Sequence, residues 1–288
     1  MFLARGAVVD RYVLIEHVGG GGQGEVWKVA DRTTGALSAL KVVTLSTDER
    51  RNERTRREAR ALARLDHPSL VRARALFEDG RLGLIGVALD WIDGPSLASS
   101  KPRVDARQAR FVVLHLARVL GHLHTRGIVH RDVKPANVLL ESGFFADPTR
   151  PDAVKLVDFG IATAIGNPGG LTDTGVAIGT LPYMAPEILD AAHWPAPSAA
   201  PGVDVFALGV VAHELLFATH PTGRAFGAPA MEFVRAYRDA GGRGASWPSA
   251  LAGASGFVAV VRDCLALDAT ARFPTCAEVA AAMERVDL

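Results

Sequence analysis

The run His130-Arg131-Asp132-Val133-Lys134-Pro135-Ala136-Asn137 puts a carboxylate, an ammonium and an amide on one short loop, and Val157-Asp158-Phe159-Gly160 follows it at the end of an apolar stretch. Upstream stand a glycine-rich segment at 19–24 and a lysine inside the apolar run Ala39-Leu40-Lys41-Val42-Val43. Polar groups planted in apolar stretches constrain the fold more than those stretches do, because a charge taken from water needs partners. Each such group therefore needs a partner or a ligand. No single motif carries a reading of the chain; their joint order does.

Composition permits such a fold without identifying it. The chain has 288 residues, 49% of them hydrophobic and 22% charged, which is enough to bury a core and too apolar for disorder. A net charge of +1 gives no general field toward nucleic acid or an anionic membrane, and neither is expected as a partner. No apolar run reaches the roughly 18 residues that a spanning helix needs, and residues 1–10 lack signal-peptide character. The expected location is cytoplasmic, with a membrane-anchored parent protein left open. Cys264 and Cys276 are isolated and read as core filler. Of 32 basic residues only Lys28, Lys41, Lys101, Lys134 and Lys155 are lysine, a bias that points to a GC-rich genome, so each lysine asks for a reason. A compact ammonium acting as a point charge on phosphate oxygens is one.

Residues 11–45 read as strands joined by the loop 19–24 and a turn at Thr34-Gly35. Residues 48–65 change to helical spacing, with Glu58, Leu62 and Leu65 on one face and His67-Pro68 as the stop; the arginines at 50, 51, 54, 56, 57, 60 and 64 read as a solvated face. Strands are expected near 70–77 and 82–92, and Asp93-Gly94-Pro95 marks a hinge before a helix-rich half. Val112, Leu116, Val119 and Leu123 form an apolar stripe on a helix over 105–125 that Gly127 ends. Helices are also expected over 203–218 and, with a break near Pro274, over 257–285; segments 143–153 and 191–202 read as surface loops.

Gly19, Gly21, Gly24 and Val26 fit GxGxxGxV, in which glycines let backbone amides close on phosphate oxygens with no Cβ in the way. A strand follows where a dinucleotide-binding fold would place a helix, which argues against that fold. With the glycine loop, Lys41, HRDVKPAN, VDFG and the later IGTLPYMAPE at 178–187, residues 11–272 resemble the catalytic core of eukaryotic-type, or Hanks-type, bacterial serine/threonine protein kinases.

The resemblance implies an α+β, bilobal protein kinase fold: a small antiparallel N-lobe with one main helix at 1–89, a hinge at 90–94, and a mostly helical C-lobe at 95–288. It implies transfer of the γ-phosphoryl group of ATP to Ser/Thr hydroxyls of protein substrates, with Mg²⁺, or Mn²⁺ in its place. Asp132 is the expected base and Lys134 the neutralising cation; Lys134 at this place resembles serine/threonine rather than tyrosine kinases. Lys41 would pair with Glu58 and hold the α- and β-phosphates. Asn137 and Asp158 would bind metal. Val26 and Ala39 would cover the adenine from one side and Leu139 from the other, with Leu89 behind it, Asp90 and Ile92 offering backbone hydrogen bonds, and Asp93 a weaker candidate for the ribose. Thr180 would approach Asp132, Glu187 would pair with Arg272, and Asp204 would hold the catalytic-loop backbone. His130 is expected to pack rather than shuttle protons. Thr172 and Thr174, in a TxTxxxxGT pattern, are expected to be autophosphorylated, the chain serving as its own substrate in trans, and a phosphothreonine would offer Arg131 a partner.

The chain departs from the pattern in a shortened helix after the hinge, an insertion around GFFADPTRP and a longer loop at 190–202. None removes a chemical group. A pseudokinase scaffold would usually have lost Lys41, Asp132, Asn137 or Asp158, and a small-molecule phosphotransferase should lack GTLPYMAPE and the Asp204 helix. Ala136 stands where kinases that prefer an arginine before the target are often acidic, so no basic consensus is expected.

Overall fold

Alternation of apolar and polar residues builds the N-terminal part of the chain as an antiparallel sheet. The structure, a computed structural model, describes residues 3–21, 24–158, 180–197, 200–241 and 256–286, without the side chains of Gly21, Arg51, Arg54, Glu58 and Leu62. Its contacts divide between Asp93 and Gly94, inside the segment read as a hinge.

In the first unit six strands, β1 (Val8–Val9), β2 (Tyr12–Gly21), β3 (Gly24–Asp31), β4 (Leu37–Thr44), β5 (Ala73–Asp79) and β6 (Leu84–Asp90), lie in the order β1-β2-β3-β4-β6-β5. The sequence did not announce β1, because two residues carry no alternation. One face packs Val9, Tyr12, Leu14, Trp27, Val29, Leu40, Val42, Leu84 and Ala88 into a core. The other receives helix α1 (Glu49–Leu62), whose Ala59 packs on Val87 with Ala73, Leu76 and Leu89 around it. Helix α1 is shorter than the 48–65 expected, and its Arg56 is not merely solvated: it pairs with Glu49 and, at 2.9 Å, with Glu78 of β5. Gly24, at φ +112°, could carry no side chain, since a Cβ there would stand 2.2 Å from the Val42 carbonyl oxygen.

The second unit begins pressed against its own small sheet: a Cβ on Gly94 would lie 1.8 Å from Leu140 O, and Leu140 N donates to Pro95 O at 2.9 Å. The one-turn helix α2 (Leu97–Ser100) runs into a 3-10 turn, Lys101–Arg103, which is the shortening seen in the sequence. Helix α3 (Ala106–His124) starts from a capping box in which Asp105 accepts from Gln108 N at 2.7 Å and Gln108 Oε1 from Asp105 N at 3.1 Å. Its stripe Val112, Leu116, Val119 and Leu123 is fully buried, at ~1.5–3 kcal/mol per side chain. Strands β7 (Val138–Leu140) and β8 (Val154–Leu156) pair antiparallel, followed by α4 (Pro186–Leu189), α5 (Gly202–Phe217), α6 (Ala230–Gly241), α7 (Phe257–Cys264) and α8 (Cys276–Glu284). Helix α3 packs on α5 and α8.

One expectation is corrected here. Segment 143–153 is not a plain surface loop: Phe144, Pro148 and Ala153 are buried, and Pro148 O meets Nε2 of buried His115 on α3 at 2.9 Å. The break expected near Pro274 within 257–285 spans residues 265–275, where Arg272 bonds the carbonyls of Ala266 and Leu267. No helix among the described residues is long and apolar enough to cross a membrane.

Candidate active site

The loop between α3 and β7 is held from beneath. Asp204, in the first turn of α5 and fully buried, accepts from His130 N and Arg131 N at 2.8 Å each. Arg131 sits at φ +64°, a left-handed conformation that costs about 1–3 kcal/mol in a non-glycine residue. Two hydrogen bonds to a carboxylate, about 1.5–3 kcal/mol each, are enough to hold it there. His124, the last residue of α3, completes the support: Nδ1 accepts from Cys276 N at 3.3 Å, so a neutral ring carries its proton on Nε2 and donates it to Asp204 at 2.9 Å. Sequence reading missed His124; a histidine at a core-facing position of α3, beside the loop, was the available signal.

On that support the functional side chains converge. Lys134 Nζ lies 2.9 and 3.0 Å from the two carboxylate oxygens of Asp132 and donates to Thr180 Oγ1 at 2.6 Å. Thr180 Oγ1 donates in turn to Asp132 Oδ1 at 3.0 Å. Asn137 Nδ2 reaches both Asp132 O and Oδ2 at 2.8 Å, so its amide nitrogen is committed and its oxygen is the group suited to a ligand. Asp132 thus has three donors fixing its orientation, yet its side chain remains 13% exposed.

Asp158, at φ +59°, is the second strained residue, and Val157 N ties its approach to Asn137 O at 2.9 Å. The buried His130 ring feels the carboxylates of Asp204, Asp132 and Asp158, which places all three around it, but burial outweighs them and lowers its pKa. His130 is 3% exposed, which suits the packing role. Leu139 is partly exposed between fully buried Val138 and Leu140, so it faces away from the core.

In the first unit the strand register pairs Val26 with Gly19 and with Lys41, and Ala39 with Leu89. Val26, Ala39 and Lys41 therefore share the face that α1 packs on. Lys41 is 5% exposed, whereas Val26, Ala39 and Leu89 are half-buried. A Cβ on Gly19 would meet nothing within 4 Å, so its lack of a side chain serves space rather than packing. Gly21 pairs with Gly24 at the strand ends. Glu58 belongs to α1, one residue before the Ala59 contact, and its side chain lies outside the described residues. Asp90 has its N–H committed to Arg72 O at 3.0 Å and its carboxylate to Arg74, which narrows what it can offer; Ile92 is half-buried and Asp93 exposed. The Lys28 ammonium stands 4.4 Å from the centre of the Trp91 ring, a cation–π contact. Thr172 and Thr174 lie outside the described residues.

Comparison with known proteins identifies the family. Residues 12–283 match the protein kinase domain family. The serine/threonine-protein kinase PknJ of Mycobacterium tuberculosis is 34% identical over 231 residues, which are 78% of this chain and 37% of PknJ. PknA of the same organism is 34% identical over 221 residues, 73% of this chain and 48% of PknA. The matched region thus spans less than half the length of these relatives. The crystal structure of the M. tuberculosis PknI kinase domain superposes with a TM-score of 0.66 at 26% identity, covering 98% of this chain and 99% of that one. This chain belongs to the protein kinase domain family, as a serine/threonine kinase domain of the bacterial, eukaryotic-like kind.

Proposed function

We propose that this domain passes the γ-phosphoryl group of ATP to serine and threonine hydroxyls of protein substrates, with Asp132 as the orienting base. The cluster of Asp132, Lys134, Thr180 and Asn137 carries the reading. The acceptor oxygen attacks the γ-phosphorus, the bond to the β–γ bridging oxygen breaks to leave ADP, and the hydroxyl proton goes to Asp132. Lys134 is already beside that carboxylate and is assigned to the charge gathering on the transferred group. Such chemistry asks mainly for alignment and charge stabilisation, which a loop anchored by Asp204 can supply.

Kinase membership implies use of ATP and a divalent metal. Asn137 and Asp158 fit a hard cation: both offer oxygen, and among the described residues no cluster of His, Cys, Asp and Glu could hold a metal unaided. Mg²⁺ accepts such a partial shell because it keeps waters and takes phosphate oxygens; Mn²⁺ is the alternative. When bound, it would neutralise the nucleotide phosphates. In the first unit, Gly19, Gly21 and Gly24 are assigned to the phosphates, and Lys41 to the α- and β-phosphates with Glu58 as its ion partner. Val26, Ala39 and Leu89 are assigned to the adenine with the backbone at Asp90 and Ile92, and Leu139 is likewise assigned to the adenine. Residues 90–94 are the proposed hinge between an N-lobe at 1–89 and a C-lobe at 95–288. Autophosphorylation in trans at Thr172 and Thr174 is the proposed activating step.

Incubation with γ-labelled ATP, Mg²⁺ and a general protein acceptor, beside Asp132→Asn, tests the reading. Label on protein that vanishes in the variant is expected. Label on a small molecule, or nowhere, overturns it. Mass spectrometry of the active domain finding neither threonine modified, with activity unchanged in the double alanine variant, would end the autophosphorylation proposal.

A further inference from the structure

Lys101 belongs to none of the phosphate-binding motifs, yet in this arginine-rich chain it is a lysine. It sits on the 3-10 turn after α2, and its ammonium bonds Oε1 of Glu214 on α5. Glu214 is 5% exposed, and its other oxygen, Oε2, accepts from Tyr183 Oη–H at 2.8 Å. Tyr183 closes the 3-10 turn Leu181–Tyr183, which starts directly after Thr180. Phe226 covers the group: Tyr183 stacks on its ring at 5.6 Å, and the Lys101 ammonium lies 5.4 Å from the ring centre. Within the same turn Pro182 O accepts from His220 Nε2 at 2.8 Å. Burial, and then the Glu214 charge, push the Tyr183 phenol pKa well up, so the hydroxyl stays a donor.

The carboxylate is thus divided, one oxygen to Tyr183 and one to the cation. A single oxygen suits a point-charge ammonium; a guanidinium fork would seek both and compete with the phenol. That explains lysine at 101 where the chain otherwise favours arginine. It also links a residue outside the site to its centre, since only Leu181 and Pro182 separate Tyr183 from Thr180, whose hydroxyl bonds Asp132.

We infer that Lys101 is a positioning residue: by holding Glu214 it fixes Tyr183, and through the 181–183 turn it sets Thr180 against Asp132. The inference rests on the reading of Asp132 as base. The test is steady-state kinetics of the domain with a protein acceptor for Lys101→Met, Tyr183→Phe, their double variant and Lys101→Arg, beside Asp132→Asn and with melting curves. Lys101→Met and Tyr183→Phe should each lower kcat about tenfold with KM for ATP within about twofold, and the double variant should fall no further than the worse single. Lys101→Arg should also lose kcat, although it keeps the charge. Wild-type kcat in Lys101→Met or Tyr183→Phe, or losses that multiply in the double variant, would overturn the inference. If Lys101→Met does not fold, Tyr183→Phe and Lys101→Arg decide, and wild-type kcat in either rejects it. An active wild type with a dead Asp132→Asn and an unaffected Lys101→Met refutes this inference alone; full activity in Asp132→Asn refutes the reading beneath it, and this inference with it.

Discussion

Two ionic clusters in the second unit use similar side chains and meet solvent in opposite ways. Glu187 and Arg272 are 2% and 0% exposed, and all five guanidinium N–H groups are spent: on both Glu187 oxygens at 2.6 and 2.9 Å, and on the carbonyls of Ala266, Leu267 and Gly202. Asp132 and Lys134 are 13% and 15% exposed, and Lys134 divides its ammonium between the carboxylate and the Thr180 hydroxyl. A closed pair has nothing left for a ligand; an open one keeps an oriented carboxylate that a substrate can reach. The first is the pattern of stability, the second of chemistry, and single substitutions should separate them.

The largest effect is expected in the open cluster. Asp132→Asn keeps the shape and removes the base, so kcat for protein phosphorylation should fall about 10²–10⁴-fold while the melting temperature moves little. A variant that melts far below wild type would make Asp132 a structural ion like Arg272, and the contrast would collapse.

Arg272→Met should do the converse. It leaves the Glu187 carboxylate buried without its cation, and breaking such a pair costs about 3–5 kcal/mol. Urea unfolding measures this, and Arg272→Lys should also lose stability, because three donors cannot replace five. Replacing Glu187 and Arg272 together by apolar residues should cost less than Arg272→Met alone. A single variant as stable as wild type would break the closed half of the comparison.

The sequence announced these clusters unevenly. The stripe on α3 and its Asp105 start follow from local spacing, and the catalytic loop from its motif. The meeting of Glu187 with Arg272, and of Asp204 with the loop backbone, could be named only through the resemblance, because nothing local to residue 187 says where its partner lies. Segment 143–153 was misread because its Pro and Ala content describes the loop and not the demand beneath it: the buried His115 ring needs an acceptor, and Pro148 O supplies one. The Lys101–Glu214–Tyr183 group was invisible for the same reason. Two residues from separate elements share the carboxylate of a third, and only the rarity of lysine hinted at it.

The closed side of the unit also predicts a pH dependence. Burial lowers the His220 pKa from 6.5 to about 4; its Nδ1 accepts from Thr222 N at 3.1 Å and its Nε2 donates to Pro182 O. Between those values the unfolded chain binds a proton that the folded one refuses, so the His220 contribution is flat above pH 6.5 and is lost as pH falls toward 4. At pH 5 the loss is about 2 kcal/mol. His115 and His213, also shifted down by burial, add to the slope in the same direction. Urea midpoints at pH 7, 6 and 5 should fall steadily, and less steeply in His220→Gln. An equal slope in both proteins would remove His220 from this account.

The smallest effect sharpens the boundary between the clusters. Thr180 is only 7% exposed, as a packing residue would be, yet its hydroxyl accepts from Lys134 and donates to Asp132. Thr180→Val preserves the volume and deletes both bonds, leaving Asp132 with Asn137 and a less constrained Lys134. The expected result is a fall in kcat of about tenfold with KM for ATP little changed, recovered in Thr180→Ser, which restores the hydroxyl and omits the methyl. If Thr180→Ser is as impaired as Thr180→Val, the methyl rather than the hydroxyl matters. Thr180 then belongs with Arg272 on the structural side, and the open cluster shrinks to Asp132, Lys134 and Asn137.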